Sequence, residues 1–256
     1  MEGGAEARRD GDVVGRLVAE LREDKLRGRH AWSALGDHHA SEAELYRDLY
    51  AVAGRSWLEA GAPNHYVVVP ATDDVVWAWL GCAFAIEQVH AERPLADIAE
   101  PRPPDGFTIR EAGLDDLDAG ARLAPVITDH QVEAPVWSGL ERPSDEHFRE
   151  SWREALLDPA STWFLAERDD GAPLGGLLLW NDEGDPISLD VAMTFPEARG
   201  LGVGVALTEH ALWWARQHGH ERIKADWRIA NLLASRFWPK RGFSPTAYRM
   251  VRYVRA

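Results

Sequence analysis

The feature of the sequence that most restricts its fold is a glycine-rich segment from Arg199 to Gly204, with glycines at positions 200, 202 and 204. It stands between a predicted strand over 187–195 and a predicted helix over 203–218. Glycine lets a ligand approach the backbone closely, and a helix N-terminus presents unpaired N–H groups and the positive end of a dipole. The segment therefore predicts a site for an anion, most simply a phosphate, with a turn made for packing alone as the alternative.

The spacing of these glycines excludes two familiar nucleotide-binding patterns. A dinucleotide fingerprint needs G-x-G-x-x-G, but Val205 and Leu207 stand where its third glycine would fall. A P-loop needs Gly-Lys followed by Ser or Thr, a combination that the sequence lacks. The segment therefore belongs to neither of these two classes of nucleotide-binding loop.

From residue 107 onward the predicted elements follow one another as β-α-α-β-β-β-α-β-α-β, which describes an α/β fold with a mixed sheet. Ser144 predicts a helix N-cap, residues 169–171 predict a hairpin turn, and Gly219 predicts a helix end. The predicted strands cover 107–111, 162–168, 173–181, 187–195, 222–226 and 246–254, and the predicted helices cover 115–126, 145–157, 203–218 and 231–241.

The first ninety residues predict a smaller α/β half-domain. Helices are expected over 10–26 and 42–59, a strand over 65–69 and a short helix over 73–80. A stretch rich in proline and charge follows it and is typical of a linker. The predicted division is a half-domain over 1–93, a linker over 94–106 and a larger domain over 107–256.

An internal comparison indicates that the two parts are related. Residues 77–93 can be laid without gaps on residues 236–252. The identical pairs are Trp79 with Trp238, Phe84 with Phe243, and Arg93 with Arg252. The match predicts a structural repeat in which the N-terminal part copies the last elements of the larger domain.

The glycine-rich segment resembles the acetyl-CoA loop of the GNAT acetyltransferase superfamily, in which Arg or Gln is followed at plus three by Gly and at plus five by Gly or Ala. Members of that family tend to carry a second block with Asn, Ala at plus three, an aromatic residue at plus seven and Gly-Phe at plus eleven. This chain has at those offsets Asn231, Ala234, Trp238, Gly242 and Phe243. The resemblance covers 107–254, and the N-terminal part is similar to a degenerate GNAT half of a tandem member.

The resemblance implies a GNAT fold, a mixed central sheet flanked by helices, with acetyl-CoA as cosubstrate. Arg199 would place a positive charge near the pyrophosphate, which the loop would hold through the backbone of Gly200, Leu201, Gly202, Val203, Gly204 and Val205. The end of the preceding strand would pair with pantetheine as an added strand and polarise the acetyl carbonyl through Met193, Thr194 or Phe195. Asn231, Ser235 and Trp238 would lie along the pantetheine arm. Asn231 is equally expected as a helix N-cap.

Trp238 departs from the family pattern, because many members have there a Tyr whose hydroxyl is taken to protonate the leaving thiolate. An indole N–H cannot supply a proton at neutral pH. Either the thiolate leaves unprotonated, since thiols have a pKa near 8.5, or Ser235 or Tyr248 relays a proton through water. The plain alternative for Trp238 is packing in the core.

Asp190 is the predicted general base for an ammonium acceptor, from its position on the strand before the loop. At 3.3 Å per residue it lies about 13 Å from Thr194, or closer if the strand bulges, and a solvated carboxylate is the alternative. The resemblance places the acceptor pocket near a loop with His130, Gln131 and Glu133. Four tryptophans, which could equally be core residues, are candidates for its wall: Trp137, Trp163, Trp180 and Trp227.

The net charge and composition of the chain limit the partners that it can bind. The formal net charge of -14 argues against nucleic acid, yet residues 199–256 hold eleven basic and three acidic side chains, as a phosphate ligand requires.

The single cysteine, Cys82, and an N-terminus without an apolar stretch predict a cytoplasmic protein, and no apolar run is long enough to span a membrane. The cluster His38-His39, on a predicted loop, lacks the spacing of a helical zinc pair, so no metal is expected.

Together these features predict an acyltransferase that moves an acetyl group from acetyl-CoA to a primary amine of a small molecule or peptide, by direct transfer in a ternary complex. The acidic remainder of the chain favours a cationic acceptor. The alternative is a GNAT module that binds acetyl-CoA without turnover, as a sensor or as a subunit of an assembly. The sequence leaves the oligomeric state open, with a homodimer as one arrangement.

Overall fold

The computed structural model describes residues 4–102, 105–181 and 186–254. Contacts divide the chain into two units. The first unit combines Met1–Ala91 with Trp227–Arg236 and Pro245–Ala256, and the second combines Glu92–Asp226 with Phe237–Ser244. The last strand of the chain therefore belongs to the unit that the chain begins with. The predicted linker includes residues 103–104, which lie outside the described residues.

Within residues 4–94 the structure has seven strands and two helices. In chain order they are β1 (Gly4–Arg9), β2 (Asp12–Val18), β3 (Glu20–Asp24), β4 (Gly28–Ser33), β5 (His38–Ala40), α1 (Leu45–Glu59), β6 (Asn64–Pro70), α2 (Asp73–Gly81) and β7 (Ala85–Pro94). The predictions of α1, β6 and α2 are confirmed. The predicted helix over 10–26 is wrong, because those residues form the strands β2 and β3, and the two histidines predicted on a loop lie in β5.

The rest of the chain follows the predicted order closely. Its elements are β8 (Thr108–Glu111), α3 (Leu117–Val132), α4 (Asp145–Leu157), β9 (Ser161–Glu167), β10 (Pro173–Trp180), β11 (Ile187–Thr194), α5 (Val203–Gln217), β12 (Arg222–Arg228), α6 (Leu232–Phe237) and β13 (Ser244–Tyr253). Ser144 accepts a hydrogen bond from the His147 N–H and caps α4, as predicted. Two helix ends differ from the prediction. Helix α3 contains Pro125 and ends at Val132, six residues later than predicted, and α6 ends at Phe237, four residues earlier than predicted.

Both units contain mixed sheets. In the first, β4 pairs parallel to β6, whose other neighbour β13 is antiparallel, while β1, β2 and β5 form a separate antiparallel sheet. In the second, β8, β9, β10 and β11 are successive antiparallel neighbours, and β11 pairs parallel to β12. The predicted α/β class with mixed sheets is confirmed.

An aromatic core fills the first unit and contains a buried histidine. The Trp57 and Trp79 side chains are fully buried. The Tyr50 hydroxyl donates to His65 Nδ1 at 2.8 Å, and His65 Nε2 donates to the Ala62 carbonyl at 2.9 Å. This arrangement needs the neutral imidazole, and burial lowers the pKa of His65 to about 4.

A second internal contact of the first unit is an ion network around Glu87. Its carboxylate accepts from Arg249 Nε at 2.6 Å and also binds the Arg228 guanidinium. All three side chains are less than one-fifth exposed. Since one carboxylate compensates two buried cations, it is expected to be essential to this unit.

The internal sequence match corresponds to matching structure. It places β7 on β13, which have equal length, and the same offset continued toward the N-terminus places Thr72, the N-cap position of α2, on Asn231. In the first copy the Phe84 N–H donates to the Trp79 carbonyl at 3.2 Å, and in the second the Phe243 N–H donates to the Trp238 carbonyl at 3.3 Å. The turn after each helix is therefore built in the same way.

The matched arginines extend this correspondence. Within the first unit Arg252 donates to the Cys82 carbonyl, and within the second Arg93 donates to the Arg241 carbonyl. Cys82 and Arg241 are themselves matched positions. Each arginine thus binds the turn of the other copy.

Two glycines of β10 define the faces of the second unit's sheet. A Cβ on Gly175 would meet Val203 of α5, whereas a Cβ on Gly176 would meet Leu123 of α3. Because successive residues of a strand point to opposite faces, α5 and α3 cover opposite sides of the sheet. Two tryptophans in close contact, Trp152 and Trp163, fill the α3 and α4 side, with ring centres 3.5 Å apart and ring planes inclined by 32°.

Candidate functional site

Strand β11 is only partly paired on one of its two edges. Its partner β12 pairs with Ile187–Leu189 in parallel register, and in the described chain no further pairs join the two strands, although β11 continues to Thr194. On the other edge β10 pairs with β11 as far as Thr194, with one irregularity at Asp190. The second half of β11 therefore offers backbone donors and acceptors to an added extended ligand.

A β-bulge lies at the start of this open edge. Leu178 of β10 pairs with Val191 and Leu179 pairs with Leu189, so Asp190 is the extra residue of β11. Its side chain is exposed. A bulge turns the strand locally and changes the alternation of its side chains. The predicted base thus lies where the sheet pairing is irregular.

The glycine-rich loop follows the other end of β11. Residues Pro196–Ala198 form a 3₁₀ turn, after which Gly200 and Gly202 have φ values of +85° and +83°. A Cβ on either glycine would meet nothing within 4 Å, so both are open on the side where a ligand would lie. Glycine adopts this backbone conformation at little cost.

The loop ends in the N-terminus of α5. Gly202 is its N-cap residue and accepts the first helical hydrogen bond, from the Ala206 N–H at 3.0 Å. The N–H groups of residues 203–205 precede that bond and lack intrahelical acceptors. A Cβ on Gly204 would lie 3.4 Å from Thr194 Oγ1 and 3.9 Å from the Phe237 ring. The first turn of α5 therefore lies directly beside the end of β11.

Trp238 is a packing residue. It is buried and makes edge-to-face contacts with Phe237 and Phe243, at ring-centre distances of 4.9 and 5.3 Å. This is the core alternative stated above. Met193 and Phe195, at the end of β11, are also buried, whereas Arg199 and Leu201 on the loop are exposed.

Three predicted site residues belong to the first unit. Asn231 caps α6, accepting from the Ala234 N–H at 3.1 Å, which is the N-cap role expected of it. The Ser235 hydroxyl donates to the Ile229 carbonyl at 2.8 Å. Tyr248 lies on β13 opposite Val69 and packs against the hydrophobic core of that unit. These contacts assign structural roles to all three side chains.

The predicted acceptor loop is partly helical. His130 and Gln131 lie in the last turn of α3, and Glu133 is its C-cap. Trp137 is 71% exposed, at a positive φ of 39°, in the segment that follows. Of the other predicted wall residues, Trp163 and Trp227 are buried in the core, and Trp180 is partly exposed.

Sequence reasoning missed two residues at this site. Gly175 allows α5 to approach the sheet, because a Cβ there would lie 3.1 Å from Val203 and 3.3 Å from Leu207 of that helix. Arg122 of α3 places its guanidinium 5.7 Å from the centre of the Phe195 ring. The Gly175-Gly176 pair inside a predicted strand was an available signal for a close approach, whereas no local pattern points to Arg122.

The described residues show neither a metal cluster nor a helix that could span a membrane. Across residues 4–102, 105–181 and 186–254, no group of three or more His, Cys, Asp or Glu side chains is arranged to hold a metal ion. Among the helices of the same residues, none combines the length and apolar character needed to cross a membrane.

Comparison with known proteins connects this site to a family. The model of the Acetyltransferase (GNAT) family matches residues 125–243. A mycothiol acetyltransferase of Beutenbergia cavernae is 30% identical over 144 residues, which cover 56% of this chain and 47% of that protein. An aminoglycoside N(6')-acetyltransferase type 1 of Serratia marcescens is 32% identical over 141 residues, which cover 50% of this chain and 95% of that protein.

Solved structures show the same fold over nearly the whole chain. A GCN5-related N-acetyltransferase from Sphaerobacter thermophilus gives a TM-score of 0.62 at 16% identity, covering 96% of this chain and 79% of that one. A tandem GNAT protein from the clavulanic acid biosynthesis pathway gives 0.53 at 17% identity, covering 97% and 82%. The chain spans about half the length of the mycothiol acetyltransferases that it matches. With a glycine loop at the end of a half-open strand and an aminoglycoside acetyltransferase matched over nearly its full length, the chain belongs to the GNAT family.

Proposed function

We propose that the protein transfers the acetyl group of acetyl-CoA to a primary amine by direct transfer in a ternary complex. The observation that carries this proposal is the continuity of the open edge of β11 with the glycine loop and the N-terminus of α5. It joins a surface that can pair with an extended amide chain to a surface that can bind phosphate.

The residues present fit acetyl-CoA. Pantetheine has two amides, which suit backbone groups of Met193 and Thr194 on the open edge. The pyrophosphate suits the N–H groups around Gly202 and Gly204, where a Cβ at position 202 would meet only open space. Arg199, exposed beside the loop, adds a positive charge. These assignments give the loop a ligand that its conformation permits.

When bound, acetyl-CoA supplies a thioester whose carbonyl carbon is open to attack by an amine. A β11 backbone N–H would donate to the carbonyl oxygen, which contributes a few kcal/mol where negative charge develops on that atom. Asp190, at the bulge, would accept the ammonium proton through a water molecule, because the acceptor arrives protonated and must lose a proton before it attacks.

The leaving group needs no acid from position 238. Trp238 is buried among aromatic rings and its indole cannot give up a proton near neutral pH. The Ser235 hydroxyl donates to a carbonyl and Tyr248 packs against a hydrophobic core, so neither is assigned this role. Because a thiol has a pKa of about 8.5, the CoA thiolate can depart unprotonated and take a proton from solvent.

A cationic amine is the proposed acceptor class. The sequence outside 199–256 is strongly acidic, with 39 acidic and 17 basic side chains, which favours a positively charged small molecule. The aminoglycoside acetyltransferase relative is named for a nitrogen acceptor, in agreement with this class. We assign catalysis to the part over 107–256, and leave the part over 1–93 without a cofactor site.

A thiol-release assay tests the proposal. The full chain is incubated with acetyl-CoA and, in turn, with amino acids, polyamines, aminoglycosides and lysine peptides, and free CoA is measured. At least one amine should release CoA in step with acetylated product. Tight acetyl-CoA binding without release for any amine would instead support the non-catalytic module.

Gly202→Glu tests the loop itself. A carboxylate there should repel the phosphates and abolish acetyl-CoA binding, measured by calorimetry. Gly171→Glu is the matched control, because Gly171 also has a positive φ, of 78°, and open space around it, but lies in the turn between β9 and β10. Equal affinity in the two variants would remove the phosphate assignment.

Asp190→Asn tests the proposed base. It should lower kcat with little change in the KM for acetyl-CoA, and the loss should shrink at high pH, where more of the amine is already neutral. A matched control is Glu197→Gln, another exposed carboxylate, in the 3₁₀ turn before the loop. An unchanged kcat at all pH values would refute the role of Asp190.

A further inference from the structure

Several arginines gather on one face of the sheet in the first unit. The hydrophobic cluster that includes α1 and α2 packs on Val67 and Met250. Because successive residues of a strand point to opposite faces, Tyr66 and Arg249 lie on the face away from these two helices. Trp32 stacks on Tyr66 with ring centres 5.8 Å apart, so it shares that face. This face therefore carries charged and aromatic side chains, whereas the one beneath the helices is apolar.

Trp32 lies at the centre of the arginine group. The guanidinium carbons of Arg22, Arg27 and Arg249 lie 5.1, 5.6 and 5.8 Å from the centre of its ring. Arg22 and Arg27 each have a carboxylate of their own on β3. The Nε–H group of Arg27 is nevertheless buried and has no acceptor among the residues that the structure describes. A guanidinium held against an aromatic ring loses little freedom when it binds a ligand.

Two arginines of this face share one carboxylate. Arg228 and Arg249 both bind Glu87, and all three side chains are less than one-fifth exposed. Arg249 donates through Nε and Arg228 through one Nη, so each guanidinium keeps further N–H groups that find no acceptor in the described parts of the chain. Two positive charges stand against one negative charge where solvent screens them poorly. The network therefore lacks a second anion.

The same imbalance acts on the acidity of Arg249. Burial lowers the pKa of Arg249, and the charges of Arg228 and Arg27 also lower it, against the opposite effect of Glu87. Arg27 is thus close enough to repel Arg249 although it has a carboxylate partner. An anion placed among these three arginines would replace repulsion with attraction.

We propose that this face of the first unit binds a small oxyanion, a carboxylate or a phosphate, among Arg27, Arg228 and Arg249. Such a group accepts several N–H donors at once and matches the planar donor pairs of guanidinium groups. It supplies the second negative charge that the Glu87 network lacks and an acceptor for Arg27. None of these residues belongs to the glycine loop. The first unit thereby gains a binding function of its own, which does not depend on the proposed acetyl transfer.

Thermal melting of the full chain tests the site with two probes, orthophosphate and malonate, each compared with sodium chloride at equal ionic strength. An oxyanion with a Kd of about 1 mM, present at 10 mM, should raise Tm by about 3–6 °C. A rise with both probes supports a site for oxyanions in general, and a rise with one of them identifies the phosphate or the carboxylate as the group bound. If neither probe raises Tm above chloride, the proposal is overturned.

Arg228→Met separates binding from structure. It leaves Glu87 and Arg249 as a balanced pair, so its Tm without added anion should match or exceed that of the unaltered chain, whereas an arginine needed only for structure would lower it. Its affinity for the active probe, measured by calorimetry, should fall about tenfold or more. Arg55→Gln, an exposed arginine on α1 of the same unit, is the matched control and should keep the affinity.

Two further variants keep the outcome clear. Arg27→Met should also weaken binding, and it serves if Arg228→Met folds poorly. Unchanged affinity in the folded variants overturns the proposal. Because phosphate also suits the glycine loop, Gly202→Glu is measured in parallel and should keep the response. Loss of the response in Gly202→Glu alone would place the anion in the loop and overturn the proposal. If the chain binds no acetyl-CoA but the response persists and needs Arg228, the proposed function fails and this site stands.

Discussion

Replacement of Gly175 by alanine should disturb both stability and cofactor binding. The new Cβ would lie 2.6 Å from the Met193 carbonyl oxygen, 3.1 Å from Val203 and 3.3 Å from Leu207. The first contact is with backbone, which cannot turn aside as a side chain can. Overpacking of this kind costs about 1–3 kcal/mol, and the severity of the overlap favours the upper value. Alanine in a strand recovers about 0.5–1 kcal/mol relative to glycine, which leaves a net loss of about 2 kcal/mol.

The assay for Gly175→Ala combines thermal unfolding with calorimetry. A loss of about 2 kcal/mol corresponds to a fall in Tm of roughly 4–8 °C in a chain of this size. Acetyl-CoA affinity should also fall, because relief of the overlap moves the first turn of α5 away from β11. Gly113→Ala is the control, since a Cβ there meets nothing within 4 Å and φ is -129°. A Tm within 1 °C of the unaltered protein, with normal affinity, would refute this account of the packing.

Three other perturbations test the cores of the two units. Glu87→Gln should lower the free energy of unfolding by about 3–5 kcal/mol in a urea titration, because it leaves two buried arginines uncompensated. Stability should fall as pH drops from 7 toward 4.5, by about 2 kcal/mol, since His65 is neutral in the fold and takes up a proton on unfolding, and His65→Gln should flatten this dependence. Gly120→Ala should lower Tm despite its better helix propensity, because the added methyl would overlap the Trp152 ring, and an unchanged Tm would contradict the α3–α4 packing.

The second unit could be predicted from sequence because its boundaries carry local chemical signals. Ser144 caps α4 through its own side chain, and Gly219 ends α5 with a φ of +86°. The loop from Arg199 to Gly204 combines several such signals in six residues. Where the signals are local, prediction and structure agree within a few residues.

The start of the chain could not be predicted in this way. Residues 10–26 have apolar side chains at positions that fit one face of a helix, yet they form β2 and β3. The Asp10-Gly11 dipeptide, with Gly11 at a φ of +94°, turns the chain between β1 and β2 and was the better signal. The strands gain their stability from distant partners such as β5, which a local pattern does not show.

The candidate site also contains residues that the local sequence predicts and residues that it does not. The phosphate loop follows from spacing, but the bulge at Asp190 exists only through the pairing of β11 with β10. Likewise, the contact of Arg122 with the Phe195 ring exists only because α3 packs near the end of β11. Residues whose function depends on two elements meeting in space leave no mark in either segment alone.

The assignment of β13 to the first unit has a consequence for biosynthesis. The partner strand β6 leaves the ribosome about 180 residues before β13, which pairs with it from Ala247 to Tyr253. At typical elongation rates of about 5–20 residues per second, β6 waits roughly 10–40 s for that partner. During this interval that edge of β6 is open to strands of other chains, so chaperone supply and translation speed should affect the yield of this protein.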